Sequence, residues 1–299
     1  MKSNLNPVCQ NCQNNSGVIK KYDPGFSSNK SDNFSIYYCT NCQNGFTYPV
    51  PKNIGDYYPD NYWLFPGLLG FIKLNLFRIF QRRRADWVKR YLKKGHVLDV
   101  GSGEGSFSRG LDNFFLVTNL EPVSSKVRNP AVIKKDFLNW RTTQRFDAIT
   151  FWESLEHTST PQRYLEKASK LLSKGGFVFI EYPRVDSLEA KIFGNSWFHL
   201  DPPRHLVHLT EKGLTIISKR EGFKKIAVEG VLAPEYSVWG FIASFLDKFN
   251  QKSTDRLKNG GMAFIISLTP LIALSILTQL LFITFNQSPI SLMILKKRN

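Results

Sequence analysis

Four cysteines fall into two pairs of one spacing, Cys9-x2-Cys12 and Cys39-x2-Cys42, with none left over. Two thiolates in a tight turn can occupy two corners of a tetrahedral Zn²⁺, and a second such turn completes the set. With sulfur at every corner no coordination position stays open, so such a metal would hold structure and do no catalysis. Two redox pairs or free thiols are the alternative; the common spacing and the turns CQNC and CTNC favour a zinc ribbon. A second constellation, Asp99-Val100-Gly101-Ser102-Gly103-Glu104-Gly105, follows the strand-like VLDV and sets an acid at the strand end. Alternate glycines let a backbone approach a bound cofactor where any Cβ would collide, and a following helix would offer free N–H groups to a carboxylate or phosphate. The dinucleotide form of this loop needs glycine at 106, which is Ser106. Third, His199, His205 and His208 crowd into WFHLDPPRHLVHLT, while His96 and His157 stand apart. An imidazole can take the proton of an attacking hydroxyl. A metal at these three would find carboxylate support only in Asp201.

These groups need a scaffold. The chain has 299 residues, enough for one large or two small domains. With 42% hydrophobic and 21% charged residues it is globular, which excludes a disordered, collagen-like or polytopic membrane protein. Forty Lys and Arg against 24 Asp and Glu give a net charge of +16, which favours nucleic acid, anionic lipid or a phosphorylated substrate as partner. The cysteines are too few for a disulfide scaffold and MKSNLNPVCQ lacks the apolar stretch of a secretory signal, so a cytoplasmic location is expected.

Residues 1–50 are polar and turn-rich around FSIYYCT, as suits a module held by metal in place of a core. Residues 51–94 read as an aromatic linker and a basic amphipathic helix, with nine Lys or Arg against Asp86 from Lys73 to Lys94. Such a helix presents a solvated face over a packing stripe, or contacts a membrane or RNA. From residue 95 the pattern is βαβ, with strands at 97–100, 115–120, 131–136, 146–151 and 176–182. One helix follows the glycine loop, another covers TPQRYLEKASKLLSKGG and ends at its glycine pair, and Thr210 caps a third before the strand GFKKIAVEGV.

VLDVGSGEGSF resembles motif I of the class I S-adenosylmethionine-dependent methyltransferases. Further blocks come in that family's order: LVTNLEP ends its strand at Glu121, Asp136-Phe137 follow the third strand, and FDAITFWESLEHTSTPQRYLEKASKLLSKGGFVFIEYP is similar to the matching block of the ubiquinone-type small-molecule O-methyltransferases. The resemblance covers residues 55–231 and the last ten. It implies a Rossmann-like α/β core over 95–231, a sheet of seven strands with helices on both faces, whose last strand (289–299) enters antiparallel beside the fifth. It also implies S-adenosylmethionine held by Asp99, Gly101, Gly103, Gly105, Glu121, Asp136, Phe137 and Trp152, with Glu121 on the ribose hydroxyls and Asp136 near the adenine amino group. The family's Pro-x-His loop lies over the acceptor, which makes His205 the leading base or orienting group, followed by His208 and Glu153. A structural His205 bonded to a backbone carbonyl is the alternative. His157 is expected to support the loop under the cofactor.

Met262 to Phe285 are 24 positions without a charge, long enough to span a bilayer. A single crossing would strand the final strand on the wrong side of the membrane from its sheet, and a Thr-Pro step at Pro270 breaks the run. The expectation is therefore a hydrophobic helical insertion over 232–288 that dips into one leaflet, with the cationic helix at 64–84 as a second contact. Burial against a second copy or a substrate cavity, and true spanning, are the alternatives. Together these features point to O-methylation of a lipid-linked sugar or other small amphiphile on the inner face of the cytoplasmic membrane. An RNA methyltransferase gripping phosphates with ribbon and basic helix is a rival, as is a cofactor-binding module without chemistry.

Overall fold

The computed structural model describes residues 7–13, 17–22, 34–58, 79, 81–233, 236–249 and 267–298. Short runs of Val, Ile, Leu and Phe bounded by glycine and polar turns form the strands. They are β1 (Val18–Tyr22), β2 (Ser35–Cys39), β3 (Gly45–Tyr48), β4 (Gly95–Val100), β5 (Phe115–Glu121), β6 (Val132–Lys134), β7 (Phe146–Trp152), β8 (Leu172–Pro183), β9 (Val207–His208), β10 (Phe223–Gly230) and β11 (Ile290–Lys297). The helices are α1 (81–91), α2 (Pro161–Leu171), α3 (Leu188–Phe193), α4 (Glu211–Arg220), α5 (Ser237–Lys248) and α6 (Thr269–Thr284).

Seven strands form the main sheet in the order β10-β11-β8-β7-β4-β5-β6. From β8 to β6 all neighbours are parallel, and β11 alone runs against its neighbours β8 and β10. The last strand therefore enters antiparallel beside the fifth core strand, as the resemblance implied. Alternation along the strands feeds two cores. Leu98, Ile149, Phe151, Val178, Ile180, Met293 and Leu295 point to the face covered by Leu165 and Ala168 of α2 and Leu214 and Ile217 of α4. Val97, Ala148, Phe179, Leu292 and Ile294 point to the other, covered by Ala85 and Val88 of α1. Both faces carry helices.

Two local expectations are corrected. The glycine loop does not open a regular helix: residues 108–110 form one 3₁₀ turn and the chain moves straight on to β5. Nor does the glycine pair end α2, because Leu172 already lies in register with Phe146 of β7 and Gly175 and Gly176 fall inside β8. The Thr-Pro step does interrupt the apolar run: Leu268 lies in a turn and α6 starts at Thr269, with Pro270 in its first turn, where its missing N–H costs nothing. Thr210 caps α4 as expected, its hydroxyl accepting from the Gly213 N–H.

The basic helix needs the largest revision. Residues 59–78, with Lys73 and Arg78, lie outside the described residues. In α1, Arg83 and Arg84 turn inward onto Glu181, Lys89 faces Asp112 at 3.9 Å, and Arg90 covers the Trp87 ring at 4.1 Å. A fully buried carboxylate on β8 has to be met by cations, and that demand takes two arginines from the solvated face. Among the described residues no helix is long and apolar enough to cross a membrane; Met262 and its four successors lie outside them.

Candidate active site

The crossovers leave β4 in opposite directions, toward β5 on one side and β7 on the other, which opens a crevice at the carboxyl ends of these strands. Asp99 is wholly buried at the end of β4, where its Oδ1 accepts from the Thr150 hydroxyl at 2.7 Å. Burial pushes its carboxyl up to about 7, against the help of Thr150 and Arg84. Gly101, Gly103 and Gly105 all have positive φ, and a Cβ on Gly101 would sit 2.5 Å from that of Ser154. The loop therefore needs glycine for its turn and for close packing beneath it. Glu121, at the end of β5, accepts from the Gly103 N–H, and burial raises its carboxyl although that amide opposes the shift. Glu104 braces the crevice from outside through the Arg128 and Asn129 amides, both at 3.2 Å.

Two of the expected cofactor residues stand differently. Asp136 is exposed in the turn after β6, whereas Phe137 is buried against Phe151 and Tyr164 and serves the core. Trp152 ends β7 between Phe107 and the Arg84 guanidinium, and its indole N–H has no hydrogen-bond partner among the described residues.

Beside this cradle lies a cluster that residue patterns alone did not reveal. Glu181 is held by Arg84 and by Arg83, whose Nη2 is 2.8 Å from Oε2, and these cations hold its carboxyl below the usual range despite burial. Glu156 is also buried, and neither of its carboxylate oxygens has a hydrogen-bond partner among the described residues. Burial and the nearby Glu181 push its carboxyl up. Ligand atoms of Glu156, His157 and His205 lie within 4.8 Å of one another, and the two imidazole rings meet edge to face at 4.9 Å. His205 Nδ1 lies 2.8 Å from the His199 carbonyl, and His157 Nδ1 lies 2.9 Å from that of Arg204. A carbonyl only accepts, so both rings carry the proton on Nδ1 and leave Nε2 as a lone pair. Burial lowers His205 to about 4 and His157 to about 3, which keeps both neutral at pH 7.

The structure thus brings His205 and His157 together, and the other two expected groups make contacts of their own. His208, in β9, lies 2.9 Å by Nε2 from the Thr47 hydroxyl of the ribbon. Glu153 has φ +51, in the left-handed region, and its N–H donates to the Glu181 carbonyl at 3.0 Å. Glu156 could have been suspected from its place beside His157, and Glu181 from standing as a lone acid inside FVFIEYP, where it demands a cation.

The four cysteines also converge. Cys9 Sγ lies 3.7 Å from Cys42 Sγ and Cys12 Sγ lies 3.8 Å from Cys39 Sγ. Four sulfurs at about 2.3 Å from one Zn²⁺ stand about 3.8 Å apart along a tetrahedron's edges. The spacing fits that ion and is far too long for disulfides.

The sequence pattern of the family described as "Methyltransferase domain" matches residues 76–228, just over half of the chain. The chain belongs to this methyltransferase family. S-adenosylmethionine is the cofactor of this family, and the glycine loop after β4, with its three positive-φ glycines, is an open cradle of the kind such a cofactor needs. The methyltransferase domain is similar to the ubiquinone biosynthesis O-methyltransferase of Coxiella burnetii, 35% identical over 101 residues, which cover 29% of this chain and 43% of that protein. It is similar also to the mitochondrial ubiquinone biosynthesis O-methyltransferase of Candida albicans, 32% identical over 119 residues, or 34% of each chain. The methyltransferase thus spans less than half the length of these curated relatives. Among solved structures, the amino pentose methyltransferase of Micromonospora echinaspora aligns with TM-score 0.39 and 16% identity over 52% of this chain and 87% of that one. The fold rests on the strand order described above, not on that likeness.

Proposed function

We propose that this chain transfers the methyl group of S-adenosylmethionine to a hydroxyl of a lipid-linked sugar or other small amphiphile at the inner face of the cytoplasmic membrane. Bound at the cradle, the cofactor supplies a methyl group already activated on a sulfonium. The protein's part is then to position the nucleophile and take its proton. His205 presents a neutral Nε2, with Nδ1–H anchored on His199, and that nitrogen would take the proton of the acceptor hydroxyl as the oxygen gains the methyl group. Glu156 and His157 pack around His205 and orient it. Zinc at Cys9, Cys12, Cys39 and Cys42 holds the ribbon. One equivalent of zinc in protein purified without chelator supports that assignment, and four titratable thiols with no metal contradict it.

The observation that carries the membrane setting is the inverted polarity of α6. Ser275 and Gln279 point inward and are fully buried, with Gln279 donating to Glu189 at 2.6 Å. Leu274, Ile276, Leu277, Leu280, Leu281 and Phe285 point outward, with Leu277 65% and Leu281 54% exposed. A helix with its polar side in the protein and its apolar side outside suits a lipid solvent, and the net charge of +16 suits anionic lipid. The Coxiella burnetii and Candida albicans relatives are named for ubiquinone biosynthesis, which supports an amphiphilic acceptor. RNA is the weaker reading because the inward arginines of α1 answer a carboxylate instead of phosphate.

The test incubates the full chain with methyl-tritiated S-adenosylmethionine and either total lipid extract in liposomes or transfer RNA. Label in the organic phase is the expected result; label confined to RNA overturns the reading. In flotation, wild type should rise with anionic liposomes and Leu277→Glu/Leu281→Glu should stay below.

A further inference from the structure

The ribbon and the acceptor loop share one sheet. β9, which follows His205 by two residues, completes the ribbon's sheet by pairing antiparallel with β3, Gly45 opposite His208 and Phe46 opposite Val207. Thr47 ties the two together. Its N–H donates to the Leu206 carbonyl at 2.9 Å, and its hydroxyl donates to the His205 carbonyl at 2.7 Å. A hydroxyl has one proton. With that proton on the carbonyl, the Thr47 oxygen can only accept from His208 Nε2, which must carry the ring proton. His208 is therefore spent on the ribbon and offers no lone pair at that nitrogen.

The metal-holding turn makes the same connection. Gln43 and Asn44 follow Cys42 directly, the Gln43 N–H donates to the Cys39 carbonyl and the Cys39 N–H to that of Asn44. Asn44 Oδ1 accepts from the Thr210 N–H at 3.0 Å, and the Thr210 hydroxyl donates to the Gln43 carbonyl at 2.7 Å. Contact there is so close that a Cβ on Gly213 would lie 2.1 Å from Asn44 Oδ1. On its other side the loop is bound to the cluster: the Leu206 N–H donates to the Glu156 carbonyl at 2.8 Å, and His157 holds the Arg204 carbonyl. Segment 204–210 is thus a strap fixed at one edge by the ribbon and at the other by residues 156 and 157.

We propose that the ribbon positions this strap for methyl transfer, with Thr47 as the positioning residue that keeps His205 against Glu156 and His157. The proposal rests on the reading of His205 as the group that faces the acceptor. It gives the zinc module a role in catalysis without contact with substrate or cofactor.

Thr47→Val keeps the side-chain shape and removes the hydroxyl; Thr47→Ser keeps the hydroxyl. In the zinc-loaded full chain, Thr47→Val should retain one zinc and bind S-adenosylhomocysteine as wild type does. The amides of 205–208 should exchange about tenfold faster, and transfer to lipid extract should slow by about the same factor. The Nε2–H tautomer of His208 should vanish from nitrogen-15 spectra, and Thr47→Ser should restore all three. Amide exchange at the wild-type rate in Thr47→Val overturns the proposal, as does faster exchange with unchanged transfer. A second measurement needs no variant: chelating zinc from the wild type should speed exchange at 205–208 while β7 and β8 stay protected, and an unchanged strap overturns the proposal. His205→Ala separates the two readings. Full transfer by that variant refutes the role of His205, whereas slow transfer there with fast transfer in Thr47→Val refutes the positioning alone.

Discussion

The two ends of the carboxyl edge of the sheet are built on different principles. At the end proposed to hold the cofactor, Asp99, the glycine loop and Glu121 come from β4, the next turn and β5, and each acid finds a neutral donor, Thr150 or the Gly103 amide. At the end proposed to face the acceptor the parts come from the whole chain: Arg83 and Arg84 from α1, Glu156 and His157 from the turn after β7, Glu181 from β8, and His205 from a strap pinned by Thr47. Of its two acids, Glu181 is held by two cations, whereas Glu156 has no hydrogen-bond partner among the described residues. The first end is a mould shaped by local backbone. The second is a buried cluster of ionisable groups held in balance by tertiary contacts, so it should be more sensitive to charge and pH.

Removing one cation tests that contrast most strongly. Arg84→Met leaves buried Glu181 with Arg83 alone and should cost about 3–5 kcal/mol in a urea titration. Arg84→Met/Glu181→Gln should recover much of it, and a cost near zero would erase the difference between the two ends. Acid comes next. His205 has a folded-state pKa lowered to about 4, so the unfolded chain binds its proton first; the stability it contributes is present above about 6.5 and lost as pH falls through 4. That loss is about 3 kcal/mol, and His205→Gln should flatten this part of the pH–stability curve by a similar amount. At the other end, Glu121→Gln should weaken S-adenosylmethionine binding by about 1–3 kcal/mol while the urea midpoint barely moves. Thr210→Ala removes the cap of α4 and the bond to Gln43 and should cost about 1 kcal/mol.

The same contrast explains what could be read before the structure. Motif I, Glu121 and the strand pattern were legible because a glycine loop after an apolar strand is a local signal that the backbone must obey. The cysteine pairs were legible because metal geometry fixes their spacing. The acceptor cluster was not: Glu181 looks like one acid in a strand and Arg84 like one cation among many, and only the docking of α1 on the sheet shows that each answers the other. His208 looked like a base in the sequence because nothing local shows that Thr47 of β3 reaches it from 161 residues upstream. The apolar run before the last strand was visible, but its orientation was not, since only packing reveals that Ser275 and Gln279 face inward.

The most direct test of the central claim compares wild type with His205→Ala in methyl transfer from tritiated S-adenosylmethionine to liposomal lipid extract, with cofactor affinity measured on both. The account predicts equal affinities and a fall of about 10²-fold or more in organic-phase label, as loss of a general base requires. Undiminished label in His205→Ala at equal affinity would contradict it.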